Sequence, residues 1–375
     1  MTTKSIGIDI RAGTNKDGKG SYTLEIVKAL LKEAKNTKFL LFTKTPNPAL
    51  NDYENAKQIC IHGWGPFWHL NLLSHIKKDP VDVFIAPASY IYPAFAPLAQ
   101  KTAIIVHDLI AFLHPKDHPF FPTFVEKFTL PKAIKKAKWI FCISQNTLKD
   151  LHNLFPETKK KQALIASPAV SQDIVYTKSQ KMDLPEKFIF AVGTLPRKNL
   201  GLIVDALKLL NDKDLHLCVA GLRPKNYEQL SHYEQLSHYE QLSHHEQLSQ
   251  DTQNSASAMA DKIHFLGKVS QSQLCELYSR AKMLVFPSLY EGFGIPPLEA
   301  MVCGCPAIVS DTSSLPEVVG DSAIKVNPSN VDELKDAIKT LLNKDIALAY
   351  SRKGQKQAQV FSYQTSAKTI LKAVS

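Results

Sequence analysis

The sequence predicts an α/β fold in two domains, on three observations. The chain has 375 residues, too many for one hydrophobic core. At the N-terminus a short apolar run, Ser5 to Ile10, leads into a glycine-bearing loop and then a helix-periodic stretch, Thr23 to Leu31. The same order returns from Lys187 to Leu210. Strand, glycine loop and helix in that order read as the first unit of a Rossmann-like domain.

Composition narrows the class. The chain is 44% hydrophobic and 21% charged, a globular balance. Its net charge of +10 favours an anionic partner, such as an anionic membrane face or nucleic acid, the equal alternative being surplus lysine for solubility. Lysines cluster, as in Thr158-Lys-Lys-Lys161, without the aromatic interleave of a nucleic-acid surface, so no nucleic acid is expected. The cysteines are scattered through apolar runs and read as free thiols in a reducing cytoplasm, with no metal-ligand pattern. No signal peptide is expected, and no run approaches the roughly twenty apolar residues of a membrane span. The expected location is therefore cytoplasmic, with any membrane contact peripheral, on the inner face of the cytoplasmic membrane.

In the first domain, the loop from Gly13 to Tyr22 carries Gly18 and Gly20, at a spacing that is not the strict dinucleotide fingerprint. Phe39–Phe42 and Val81–Ala86 are the next strands. Gly63-Trp-Gly-Pro-Phe-Trp68 offers candidate exposed aromatics, packing under a loop being the commoner outcome. Pro87 to Pro97 reads as a loop. Thr102–Val106 is a strand ending at His107 and Asp108, and open α/β sheets place ligands at such carboxyl ends. A Ser-His-Asp hydrolase has no nucleophile elbow here to support it. Trp139–Ile143 is a strand, Ser144 caps the helix after it, and Ala163–Ala166 is the last strand of this half. A polar linker follows.

In the second domain, Gly193-Thr-Leu-Pro-Arg-Lys-Asn199 joins a strand to a helix. Two cations at such a junction, Arg197 and Lys198, can grip a diphosphate, the alternative being solvated surface charges. After a strand at His216–Gly221, the hexapeptide Tyr227-Glu-Gln-Leu-Ser-His232 recurs and degenerates by Gln250. Apolar residues every three positions drift by about 60° per step around a helix, so no constant face can pack. An exposed arm is expected, inert repeat expansion being preferred over a partner-binding arm or a His-rich metal tract. Asp261–Gly267 resumes the domain with a strand.

The stretch Ser288-Leu-Tyr-Glu-Gly-Phe-Gly-Ile-Pro-Pro-Leu-Glu-Ala-Met301 follows a buried strand, Ala281–Phe286. Gly292 and Gly294 let backbone approach a ligand closely, and Pro296 and Pro297 suit a helix's first turn. Such a strand-to-helix turn offers free N–H groups to an anion. Glu291 and Glu299, eight apart, would repel a phosphate and are better placed to accept hydrogen bonds from sugar hydroxyls, the alternative being a turn cap and a solvated helix residue.

These residues resemble the Glu-x7-Glu signature of family 4 retaining glycosyltransferases, and Gly304-Cys-Pro-Ala-Ile-Val-Ser-Asp-Thr-Ser-Ser-Leu-Pro-Glu-Val-Val-Gly320 continues the resemblance. It implies the GT-B architecture, two Rossmann-like domains facing across a cleft. It implies a hexosyl transfer from a nucleoside diphosphate sugar to a glycan or lipid-linked acceptor, with no cofactor and no metal. His107-Asp-Leu together with the Arg-Lys loop looks most like bacterial mannosyltransferases of surface polysaccharide synthesis, favouring GDP-mannose. By the same resemblance Glu291, Lys198 and His107 are catalytic. Arg197, Gly193, Phe293, Gly294, Leu298, Glu299 and Gly20 bind the donor, and Gly18 and Asp108 line the acceptor side. The chain departs from the pattern at Thr194, where relatives carry an arginine, in a phosphate loop one residue short, and at Ser167-Pro-Ala169 in place of Asn-Gly. The expected division is residues 1–175, a linker at 176–186, residues 187–357 with the arm at 226–250, and a helix at 358–375 returning to the first domain. A nucleotide-sugar epimerase of the same fold, or a catalytically silent interaction scaffold, are the alternatives.

Overall fold

A computed structural model of the protein describes residues 5–15, 17–117, 119–170, 174, 182–224 and 261–375. The repeat and most of the expected linker lie outside the described residues. Two compact units emerge: Met1–Ala169 with Phe361–Ser375, and Val170–Val360.

In the first unit, apolar runs form seven strands. These are β1 (Ser5–Asp9), β2 (Lys38–Thr43), β3 (Ala56–Cys60), β4 (Val83–Ala86), β5 (Lys101–Val106), β6 (Trp139–Cys142) and β7 (Gln162–Ile165). They pair in the order β3-β2-β1-β4-β5-β6-β7, all parallel. Between them run α1 (Gly18–Glu33), α2 (Pro66–Lys78), α3 (Ile91–Phe95), α4 (Ile110–Leu113), α5 (Phe120–Lys136) and α6 (Gln145–Leu154). The central strands are buried except at Lys101, which opens β5, as parallel strands covered on both faces must be.

The second unit repeats the plan. Its strands are β8 (Phe188–Val192), β9 (His216–Ala220), β10 (Ile263–Phe265), β11 (Leu284–Phe286), β12 (Ala307–Ser310) and β13 (Ile324–Val326). They pair in the order β10-β9-β8-β11-β12-β13, again parallel. Its helices are α7 (Leu200–Leu210), α8 (Gln271–Arg280), α9 (Ile295–Val302), α10 (Leu315–Val319), α11 (Val331–Leu341) and α12 (Lys344–Ala358). A last helix, α13 (Tyr363–Val374), packs on α1 of the first unit. There Ser366 Oγ donates to the Ser167 carbonyl at 2.7 Å.

In each sheet the chain winds outward one way and then returns to wind the other way. The reversal falls between β1 and β4, and between β8 and β11. Loops leaving the carboxyl ends of such neighbours diverge and leave a crevice for a ligand.

Three local readings are corrected. Gly18 and Gly20 lie within the first turn of α1, not in the loop before it, because the Asp17 carboxylate caps the helix by accepting from the Gly20 N–H at 2.6 Å. The stretch Pro87 to Pro97 contains the short helix α3. Of the candidate exposed aromatics, Trp64 and Phe67 are exposed, but Trp68 is fully buried in the core, under the Arg11 guanidinium at 3.6 Å.

Candidate functional site

In the second unit the loops leaving β8 and β11 bring the predicted residues together. Gly193 follows β8 with φ of +88°, and a Cβ there would stand 3.1 Å from the Lys198 stem. The lysine thus lies along bare backbone. A single 3-10 turn, Pro196–Lys198, presents Arg197 and Lys198, and Asn199 ends it in the left-handed region with its side chain donating to the Pro328 carbonyl at 2.7 Å.

Both cations converge on one oxygen. Lys198 Nζ lies 2.5 Å and Arg197 Nη1 2.9 Å from Glu291 Oε1. Arg197 Nη1 also donates to the Tyr290 carbonyl at 3.1 Å, and Lys198 Nζ sits 4.4 Å above the Phe286 ring. All three side chains are largely buried, with 17%, 12% and 11% exposure for Arg197, Lys198 and Glu291. Burial lowers the Lys198 pKa, with Arg197 adding to that and Glu291 opposing it. Beyond its expected role as an acceptor for sugar hydroxyls, Glu291 is the counter-charge of the cation pair. Its loop is pinned by serines: the Glu291 N–H donates to Ser313 Oγ at 3.0 Å, and Ser314 Oγ donates to the Glu291 and Phe293 carbonyls at 2.9 and 2.7 Å.

Gly294 caps α9 with φ of +114°, where a side chain would also strike Leu315. Pro296 and Pro297 occupy the first turn. The Leu298 side chain is fully buried and its N–H points to the Gly294 carbonyl at 3.4 Å. Glu299 lies farther along α9, and its Oε2 accepts from the Tyr278 hydroxyl at 2.9 Å. Burial pushes its carboxyl up to about 7, against a smaller lowering by Tyr278.

The first unit builds a separate cluster. His107 ends β5, and its Nε2 lies 2.6 Å from the Pro87 carbonyl at the end of β4. A carbonyl only accepts, so Nε2 carries the proton in the arrangement this contact assigns. The ring is buried edge-on to Tyr22 at 4.9 Å. Burial, with Lys19 second, lowers its pKa to about 4, so the imidazole is neutral at ordinary pH. Asp108 Oδ1 accepts from the Ile110 N–H at 3.2 Å, and its Oδ2 lies 3.6 Å from Lys19 Nζ. At Gly20 a Cβ would stand 2.3 Å from the Asn15 carbonyl, so no side chain fits there. Gly18 has open space around it.

Lys19 and Glu126 were missed in the sequence. Lys19 Nζ lies 4.0 Å from Glu126 Oε2, while Glu126 Oε1 is buried without a hydrogen-bond partner among the described residues. Burial pushes the Glu126 carboxyl up to about 7; Lys19 opposes and Asp108 reinforces that rise. An ordinary glutamate releases its proton near 4.5, so between 4.5 and about 7 the folded chain holds a proton that the unfolded chain has lost. Stability from this group therefore falls as pH rises through that window. Glu126→Gln, which stays neutral, is expected to melt about 2–4 °C above the wild type at pH 8 and level with it near pH 5. A gap that does not change with pH would show that Glu126 is not the titrating group.

The comparisons bear on the second unit most directly. The glycosyl transferases group 1 profile matches residues 175–359, which contain Gly193, Arg197, Lys198, Glu291 and Glu299. Residues 175–359 belong to the group 1 glycosyltransferases. It is 30% identical over 257 residues to the serotype-specific mannosyltransferase WbdA of Escherichia coli, covering 64% of this chain and 29% of WbdA. It is 28% identical over 246 residues to the O-antigen chain mannosyltransferase RfbU of Salmonella typhimurium, covering 65% of this chain and 62% of RfbU. The chain thus spans less than two thirds of each. Among solved structures, Anabaena HepE in complex with UDP and glucose aligns at TM-score 0.68 and 15% identity, covering 99% of this chain and 98% of that one. The two parallel-sheet units are those of the GT-B architecture of this group 1 family.

Proposed function

We propose that this chain is a retaining hexosyltransferase. In this reading it moves a hexose, mannose favoured, from a nucleoside diphosphate sugar, GDP-mannose favoured, to a glycan or lipid-linked acceptor of surface polysaccharide synthesis. The observation that carries the reading is the buried pair Arg197 and Lys198 on the Glu291 carboxylate, at the point where the sheet of the second unit reverses direction. The names of WbdA and RfbU support the sugar and the pathway.

Each group has a role that follows from its chemistry. As the bond from the anomeric carbon to the β-phosphate oxygen breaks, negative charge builds on the diphosphate. Lys198 and Arg197, both largely buried, are pre-placed to receive it. Glu291 keeps them charged while the site is empty and accepts from sugar hydroxyls when it is filled. Glu299, oriented by Tyr278, accepts from the two ribose hydroxyls. The N–H groups of Phe293 and Gly294 and the start of α9 face the sugar and phosphate. In the first unit, neutral His107 and the Lys19–Asp108 pair serve the acceptor side. The location is the cytoplasm, with peripheral contact at an anionic inner leaflet.

The test is a melting and donor-hydrolysis screen across nucleoside diphosphate sugars, followed by transfer to lipid-linked glycans with the anomeric configuration read by NMR. A stabilising shift with one donor, lost in Glu299→Ala, is the expected result. Absence of a shift with every donor would overturn the reading. Donor affinity also carries a pH signature. An ionised Glu299 accepts from both ribose hydroxyls, whereas the acid form must donate to one. Affinity is expected to tighten up to about tenfold as pH rises from 6 to 8, following one titrating group near 7. Calorimetry on Glu299→Gln should give a flat profile over that range.

A further inference from the structure

We propose that the outer face of α5, with Phe95 and Leu98 beside it, docks on an anionic lipid bilayer. This goes beyond the peripheral contact named above by assigning it a surface, and its test does not depend on sugar transfer.

Five of the six exposed phenylalanines among the described residues are here: Phe95, Phe120, Phe121, Phe124 and Phe128, exposed by between 48% and 86%. Leu98 is 88% exposed. Along α5, Phe120, Phe124 and Phe128 recur every four residues and share one face, with Phe121 at its edge. The opposite face is spent on the core through Thr123, Leu130, Ala133 and Ile134. Phe124 and Phe128 stack at 6.4 Å, and Phe95 from α3 meets Phe128 at 6.4 Å, so the rings form one patch across two helices. A contiguous apolar patch of this kind marks a surface that is covered in use.

Charge selects what covers it. Lys127, Lys132, Lys135 and Lys136 are exposed on the same helix, and Lys132 Nζ sits 3.5 Å above the Phe128 ring. The helix has a single carboxylate, Glu126, and that side chain is turned inward toward Lys19. The outer face of α5 is thus phenylalanine and lysine without an acid. A protein partner or a second copy would have to present a matching acidic rim, and burying lysines against this chain's own +10 charge would repel. An anionic bilayer offers both halves at once: headgroup charge for the ammonium groups and an acyl boundary for the rings. At 17 residues, α5 is about 25 Å long and can lie in the interface plane.

The experiment is co-sedimentation of the full chain with vesicles of equal parts phosphatidylcholine and phosphatidylglycerol, at low and high salt. Binding is expected to anionic vesicles, to weaken with salt, and to be absent with phosphatidylcholine alone. The triple variant Phe120→Ser/Phe124→Ser/Phe128→Ser keeps every charge and is expected to lose about tenfold or more in partitioning. Each lysine near the surface contributes about fivefold, so Lys127→Glu/Lys132→Glu/Lys135→Glu should lose more than about a hundredfold. The same charge change placed elsewhere, Lys213→Glu/Lys339→Glu/Lys344→Glu, should leave most binding in place. If the triple serine variant misfolds, Phe120→Ser alone carries the test, since that ring is 86% exposed.

Three results would overturn the proposal: no vesicle binding by the wild type, serine variants that bind as the wild type does, or a control that loses as much as the α5 charge variant. Light scattering that shows a dimer dissolved by the serine changes, with no vesicle binding to lose, would hand the face to a second copy. Donor-induced melting shifts should be unchanged in all α5 variants, so loss of docking and failure of the transferase reading are separable.

Discussion

Lys198→Ala is expected to lower kcat about a hundredfold or more while the chain stays folded. The ammonium is held on three sides: Glu291 Oε1 at 2.5 Å, the Phe286 ring at 4.4 Å, and the bare Gly193 backbone under its stem. It needs little rearrangement to meet charge on a departing diphosphate, and such preorganised charge acts mainly in the transition state. The alanine variant leaves Arg197 on Glu291, so no carboxylate is stranded and the melting temperature should change little. Lys198→Arg is expected to recover only part of the rate, because a planar fork cannot occupy the point position of the ammonium beside Arg197. Steady-state kinetics with the donor varied decides the matter. If kcat holds and only KM rises, Lys198 serves ground-state binding and the charge-stabilising role is wrong.

How far the sequence carried differs between backbone and side chains. Strands such as Phe188–Val192 and Thr102–Val106 are continuous apolar runs, and glycines and prolines mark the turns beside them, so both parallel sheets were legible. The Glu-x7-Glu stretch was legible because its proline and glycine positions are dictated by one turn: Gly294 at φ of +114° and prolines in the first helical turn. What local sequence does not encode is which side chains meet across a sheet. Glu291 is 93 residues from Lys198, and nothing local says that one oxygen serves both cations. Tyr278 on α8 gave no signal as the partner of Glu299, because the contact is made only when α8 and α9 fold beside each other. Two signals were present and unread. Lys19 stands between the two glycines already singled out, and Glu126 is the only carboxylate in a 17-residue helix of phenylalanine and lysine. A lone, largely buried acid in such a helix asks for a nearby cation, and Lys19 Nζ lies 4.0 Å from it.

Glu291→Gln is expected to separate stability, donor binding and turnover in a way no other change here does. The amide keeps the shape of the carboxylate but not its charge, so two largely buried cations are left side by side without a counter-ion. Removing one partner of such a cluster costs about 3 kcal/mol, and the empty variant should melt well below the wild type. A nucleoside diphosphate brings the missing negative charge to the same two cations. In the wild type it must compete with Glu291 for them; in the variant it does not. The donor-induced rise in melting temperature is therefore expected to be larger in Glu291→Gln than in the wild type, although kcat falls by about a hundredfold as the sugar hydroxyls lose their charged acceptor. If Glu291 instead acted on sugar hydroxyls alone, the empty variant would melt like the wild type and the donor shift would shrink. Differential scanning calorimetry of both proteins, with and without the donor, distinguishes the two through the sign of the change in that shift.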